Sequence, residues 1–269
     1  MMIISCDVAW NPQKSRNAMA VVTDSGEVRF LAQRLDDAHL MDQVCKWASG
    51  SRALVLLDVP IEGCRKLTGP RRPLENALQH YMALYPAARS ANRGEELKKA
   101  IMTGFRHRGS VLVKEIYPHA VYKFLWAVKQ SGRLSEVTRG RRCTTLLDGA
   151  FTPTQVPPGY KGHKVREERI KGLRYLRNIL IRELGLKFTY PLGSPRACST
   201  VVETETLADM YDACLGAVAG WYCVAGNPYA WVAGDEKQGE MLLLADAWLK
   251  KQLESRGVDL QRLSGLRPR

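Results

Sequence analysis

A short apolar run, Met2 to Cys6, ends on Asp7 and is followed by the turn pair Asn11-Pro12. That pattern predicts a first strand. Ala18 to Val22 and Val28 to Leu31 flank the turn-prone Thr23-Asp24-Ser25-Gly26-Glu27 and predict a hairpin. Leu40, Met41, Val44, Cys45 and Ala48 recur near helical spacing, with Asp36 or Asp37 available as a cap and Ser49-Gly50 as a stop. Ala53 to Leu57 is apolar without alternation, as expected of a central parallel strand covered on both faces, and it ends on Asp58.

Pro60 to Ser110 carries the basic run Arg65 to Pro73 and a predicted helix from Leu74, and it reads as an insertion. Val111 to Val113 leads into Lys114-Glu115-Ile116-Tyr117-Pro118, a further predicted strand carrying Glu115, and an aromatic helix follows from His119 to Gln130. Residues 151–165, with Pro153, Pro157, Pro158 and Gly159, have no apolar period and read as a loop. Ile170, Leu173, Leu176, Leu180 and Leu184 form the buried stripe of a helix over 166–184, with Lys171, Arg174 and Arg182 outside it. A linker over 186–202 leads to a helix capped by Thr204 and running to about Ala225. The chain then predicts a segment over 229–233, a strand over 241–244, a last helix with Trp248 and a basic tail.

The expected class is α/β: one domain over 1–269, with core segments 1–60, 111–131 and 203–256 and basic insertions over 61–110 and 139–187. No apolar run approaches the roughly 20 residues of a membrane span. The N-terminal residues do not read as a secretory signal, so the expected location is the cytoplasm. Seven cysteines without a C-x-x-C pair, and five histidines without an H-x-x-x-H pair, argue against zinc or a disulfide framework. Any metal would take oxygen ligands.

Charge sharpens this picture. The net charge is +13, yet residues 1–60 and 188–269 are slightly acidic, and the segment between them carries +16. Carboxylates at the ends and cations in the middle suggest a cation site beside a polyanion-binding surface. Asp7 and Asp58 each end an apolar strand, where ligand sites of such sheets gather. Glu115 is a third candidate. Glu205, Asp209 and Asp212 stand at i, i+4 and i+7, on one face of a helix. That helix also carries Ala208, Gly216, Ala219, Gly220 and Cys223, small residues that allow close approach to a sheet. Buried carboxylates beside such a seam need a compensating cation.

Asp7 after its strand, Asp58-Val59-Pro60-Ile61, Lys114-Glu115-Ile116-Tyr117-Pro118 and Asp209-x-x-Asp212-Ala213 occur in that order. With weaker matches over 164–180 and at Gly239 to Leu242, they resemble the predicted RNase H-like nucleases grouped as domain of unknown function 429. The likeness spans nearly the whole chain. Asp209 and Asp212 are also similar to the last two ligands of Holliday-junction resolvases, with Asp7 and Asp58 in the positions of the earlier acids. Those enzymes usually have Glu where this chain has Asp58, and Glu62 or Glu115 could supply the missing reach.

The resemblance implies an RNase H-like mixed sheet flanked by helices, with the strand ending on Asp7 beside the strand bearing Asp58. It also implies phosphodiester hydrolysis with two Mg²⁺ or Mn²⁺ ions. Asp7 would bridge them, Asp58 and Glu115 would hold one side, and Asp212 with Asp209 the other. Arg71, Arg72, Arg141, Arg142, Lys171 and Arg174 are the expected nucleic-acid contacts, for DNA or RNA. One alternative is a nucleic-acid- or partner-binding protein that keeps the fold without catalysis. Another is a sugar-kinase or actin-like phosphotransferase, against which Val8-Ala9-Trp10-Asn11 stands where a Gly- and Thr-bearing phosphate hairpin is expected.

Overall fold

The structure is a computed structural model that describes residues 1–9, 16–62, 71–82, 92–105, 111–138, 151, 156–162, 165–235, 237 and 239–263. Its strands are β1 (Met2–Asp7), β2 (Asn17–Thr23), β3 (Glu27–Leu35), β4 (Ala53–Leu57), β5 (Val111–Ile116), β6 (Lys187–Phe188), β7 (Ala230–Asp235), β8 (Gly239–Leu244) and β9 (Leu260–Gln261). Among the described residues they form one mixed sheet in the order β6-β3-β2-β1-β4-β5-β8-β7-β9. The helices are α1 (Asp37–Ala48), α2 (Pro73–Met82), α3 (Arg93–Gly104), α4 (Pro118–Gln130), α5 (Leu134–Thr138), α6 (Arg166–Arg182), α7 (Val201–Val224) and α8 (Ala247–Glu254). None is long and apolar enough to cross a membrane. The α/β class and the first half of the element order agree with the hydrophobic pattern.

Strand parity decides what each face carries. β1 and β4 run parallel with Ser5 opposite Leu56 and Cys6 opposite Leu57, and β4 pairs with β5 so that Leu57 lies opposite Glu115. Ile3, Leu54, Leu56 and Ile116 face one apolar core, shared with α4, α6 and α7. Cys6, Leu57 and Val113 face the other, under α1 and α3. Asp7 and Asp58 are therefore on the α7 side, and Glu115 is on the opposite side.

α7 is covered nearly all round, with small residues toward the sheet. A Cβ on Gly216 would meet Ser5 Oγ at 2.2 Å, and one on Gly220 would meet Ile3 and Leu56 at 2.7 Å. The glycine seam thus sets the distance at which α7 carries its acids over β1 and β4. The helix begins earlier than Thr204: Thr200 caps it, accepting from Glu203 N while Glu203 accepts from Thr200 N. Such a reciprocal cap satisfies two end groups and outcompetes a lone threonine one turn later. The Thr204 hydroxyl instead donates back to Val201 O.

The apolar stripe of α6 is real: Leu173, Leu176, Leu180 and Leu184 are fully buried in the same core as α7. The basic segment around α6 is thus packed into the body of the protein. α3, α5, β6 and β9 have no counterpart in the hydrophobic pattern, being short or largely polar.

Candidate active site

β1 delivers Asp7 to the end of the sheet, and the backbone after it is pinned from two sides. Ala9 N donates to Asn17 Oδ1 at 2.9 Å, and Arg93 Nε donates to Ala9 O at 2.5 Å. Arg93 also pairs with Asp37 of α1, so α3 braces the β1 exit. Asp58 follows β4 directly, its N donating to Cys6 O at 2.9 Å, which places it beside Asp7. From above, α7 contributes Asp209 and Asp212, three residues apart and hence on one face.

A single cation gathers three of these four acids. Lys161 Nζ lies 3.1 Å from Asp7 Oδ2, 2.9 Å from Asp209 Oδ1 and 2.5 Å from Asp212 Oδ2. The neighbouring Tyr160 hydroxyl donates to the other oxygen of Asp212 at 2.5 Å. Tyr160 and Lys161 can come this close because Gly172 of α6 has no side chain. A Cβ there would sit 2.0 Å from Gly159 O and 3.0 Å from Tyr160 N.

The electrostatics follow from crowding acids in a buried place. Burial pushes the Asp7 carboxyl up to about 8; Lys161 pulls against that rise, and Asp209 and Asp212 add to it. Asp58 is held well above the ordinary carboxylate range by burial first, then by Asp7 and Asp212. Asp209 is also raised by burial, opposed by Lys161. Burial works against the Lys161 charge, but the surrounding carboxylates outweigh it and raise its affinity for the proton. His119, at the start of α4, is pushed below the ordinary imidazole range by burial, with Asp212 opposing and Lys123 and Lys161 adding. Its ring centroid is 6.4 Å from that of Tyr160.

Two expected site residues are placed elsewhere. Glu115 does not join Asp7 and Asp58, because parity turns it to the other face of the sheet. There its oxygens take Arg72 Nη1 at 2.8 Å, Arg72 Nη2 at 2.5 Å and Ile61 N at 3.0 Å. Burial raises its carboxyl, and Arg72 pulls it back down. Arg72 in turn is 0% exposed and also pairs with Glu75, so it cannot contact a nucleic acid. It ties α2 to β5 instead. Glu62 pairs with Lys98 of α3.

Of the other expected contacts, Arg71 is half-buried, with its Nε shielded from solvent. Lys171 and Arg174 are exposed on α6, and Arg141 and Arg142 lie outside the described residues. Glu205 stands one turn above Asp209 and pairs with Arg16 and Arg169.

The sequence pattern missed Lys161, Tyr160 and His119. The first two follow Pro157-Pro158-Gly159 in a stretch without period, and only the distant Gly172 records how closely that stretch is seated.

The remaining acids suit a hard divalent cation in kind: carboxylate oxygens alone, converging on a position where one positive charge already sits. Among the described residues, no group of three His, Cys, Asp or Glu side chains stands in ready metal-ligating geometry. The acids are drawn instead around the Lys161 ammonium. Asp7, Asp58, Asp209 and Asp212 are the residues that could hold Mg²⁺ or Mn²⁺. Comparison with protein-family models, with curated proteins and with solved structures gives no match.

Proposed function

We propose that the protein is a metal-dependent nuclease that hydrolyses nucleic-acid phosphodiester bonds at the Asp7, Asp58, Asp209 and Asp212 cluster. The observation that carries this reading is the convergence of Asp7, Asp209 and Asp212 on one cation, Lys161, beside Asp58. The adjacency of β1 and β4, with β2 antiparallel on the far side of β1, supports the RNase H-like resemblance and with it this assignment. The net charge of +13, and the exposed Lys171 and Arg174 on α6, support a polyanionic substrate.

Mg²⁺ or Mn²⁺ held by these carboxylates supplies a nucleophilic water at neutral pH and relieves charge on the leaving oxygen. The residues of the chain do the rest. Tyr160 fixes one oxygen of Asp212 and so aims the other at the cation position. Asp7 and Asp58, on rigid strand ends, set the opposite wall. Lys161 offsets the carboxylate charge and, when drawn aside, presents a cation to the scissile phosphate. Burial holds His119, whose ring packs near that of Tyr160, below the ordinary imidazole range.

A second reading has one observation in its favour. Lys161 fills the cation position, as it would in a nucleic-acid-binding protein that keeps the fold without catalysis. Labelled single-stranded, duplex, hybrid and branched substrates, each with Mg²⁺ and Mn²⁺, separate the two. Cleavage lost in Asp212→Asn supports the nuclease. Binding without cleavage under every condition supports the second reading.

A further inference from the structure

We propose that a cleft between the C-terminal half of α6 and the Ser194–Arg196 turn is a metal-independent anchor for the phosphates of a nucleic-acid strand. This rests on the nucleic-acid reading above and names where the strand is held. The cleft encloses about 330 Å³, with Arg174, Arg177, Arg182 and Arg196 around it and the Asn178 amide and Ser194 hydroxyl between them. Among the described residues, no carboxylate and no aromatic side chain lines it.

The helix period builds this face. Positions 174, 177, 178 and 182 fall on one side of α6, opposite the buried Leu173, Leu176 and Leu180. Among the described residues, Arg174, Arg182 and Arg196 make no ion pair, and all three are exposed. Glu183, just past the helix, pairs with Lys129, and Glu167 in its first turn pairs with Arg166. Arg177 is fixed, donating to Leu192 O at 3.3 Å and Gly193 O at 3.2 Å. Gly193 O also accepts from the Tyr211 hydroxyl at 2.6 Å. Since Tyr211 precedes Asp212, the wall of the cleft is tied to the helix that bears the acids.

Four guanidinium groups sharing one concavity repel one another, and an anion with several oxygens relieves that repulsion. Guanidinium forks match phosphate oxygens in pairs. With no aromatic surface among the described residues to stack a base, the cleft recognises backbone rather than nucleobase. Arg174 to Arg182 spans roughly 12 Å of helix, at 1.5 Å per residue, so the row can meet more than one successive phosphate of a strand.

The test is binding of labelled single strands and duplexes in EDTA, followed by anisotropy across a salt series. The proteins are the wild type, a variant with Arg174, Arg182 and Arg196 changed to Ser, and one with the same three changed to Lys. The Ser variant is expected to bind at least about tenfold more weakly at low salt, its log-log salt slope smaller by about 2 to 3. The Lys variant, which keeps the charge, should retain most of the slope. Wild-type affinity and slope in the Ser variant would overturn the proposal, as would equal loss in both variants, because charge would then not be what binds.

Tripolyphosphate is tested separately by its effect on melting temperature. If it stabilises the wild type while neither strand binds, the cleft serves a small phosphorylated ligand and the strand proposal fails. Arg-dependent binding without any cleavage leaves the cleft standing and rejects the nuclease. Asp212-dependent cleavage with unchanged binding does the reverse.

Discussion

Replacing Lys161 by Met keeps most of the apolar stem and deletes the charge that gathers Asp7, Asp209 and Asp212. At about 2.8 Å each contact is worth roughly 1.5 kcal/mol in bulk water and roughly 6 kcal/mol at an effective dielectric of 20. The side chain is 39% exposed, so solvent screening brings the sum toward the lower limit. Desolvation and side-chain entropy subtract further. A loss of about 2–4 kcal/mol in unfolding free energy is therefore expected in EDTA, similar to breaking other partly buried pairs.

The same deletion removes the competitor for a divalent ion. Mn²⁺ should bind the Lys161→Met protein at least about tenfold more tightly than wild type, a gain of about 1.4 kcal/mol or more. At a hundred times its dissociation constant, it should restore about 2.7 kcal/mol of stability. Urea unfolding with and without Mn²⁺, together with titration calorimetry, reads both effects. Equal Mn²⁺ affinity in the two proteins, with the stability loss unrepaired by metal, would refute the claim that Lys161 occupies a cation site.

Three further outcomes are expected. Asp7 is raised to about 8 when folded, so the folded state binds a proton that the unfolded chain has released above about pH 4. Stability should therefore fall as pH rises from about 4 to about 8, by at most about 1.4 kcal/mol per unit from this group, and Asp7→Asn should flatten that slope in urea unfolding. Gly172→Ala forces its new methyl to within 2.0 Å of Gly159 O. It should cost about 1–3 kcal/mol and, by shifting Tyr160 and Lys161, alter Mn²⁺ affinity while circular dichroism stays native. Arg72→Ala leaves Glu115 and Glu75 buried without their partner and should destabilise by about 3–5 kcal/mol in the same unfolding assay, with strand binding unchanged.

Much of this arrangement is legible in the sequence because the signals are local. Asp7 and Asp58 announce themselves by ending apolar strands. Asp209 and Asp212 do so by helical spacing beside Gly216 and Gly220, whose missing side chains set the packing distance. Glu115 fails for a reason of parity. In the run Val111 to Ile116 the pattern does not say which alternate positions face α7, and a single step in register moves the carboxylate to the opposite face. Arg72 misleads because a basic run looks solvated until its partners, Glu75 and the distant Glu115, are brought to it. Lys161 is invisible because nothing in an aperiodic, proline-bearing stretch says which of its side chains turns inward.

The central claim is that acids far apart along the chain share one cation position. Crystals soaked in Mn²⁺ and measured at the manganese absorption edge test it most directly. An anomalous peak bounded by Asp7, Asp58 and Asp212, lost in Asp212→Asn crystals, is the predicted result. No peak at that position in either wild-type or Lys161→Met crystals, at saturating Mn²⁺, would contradict it.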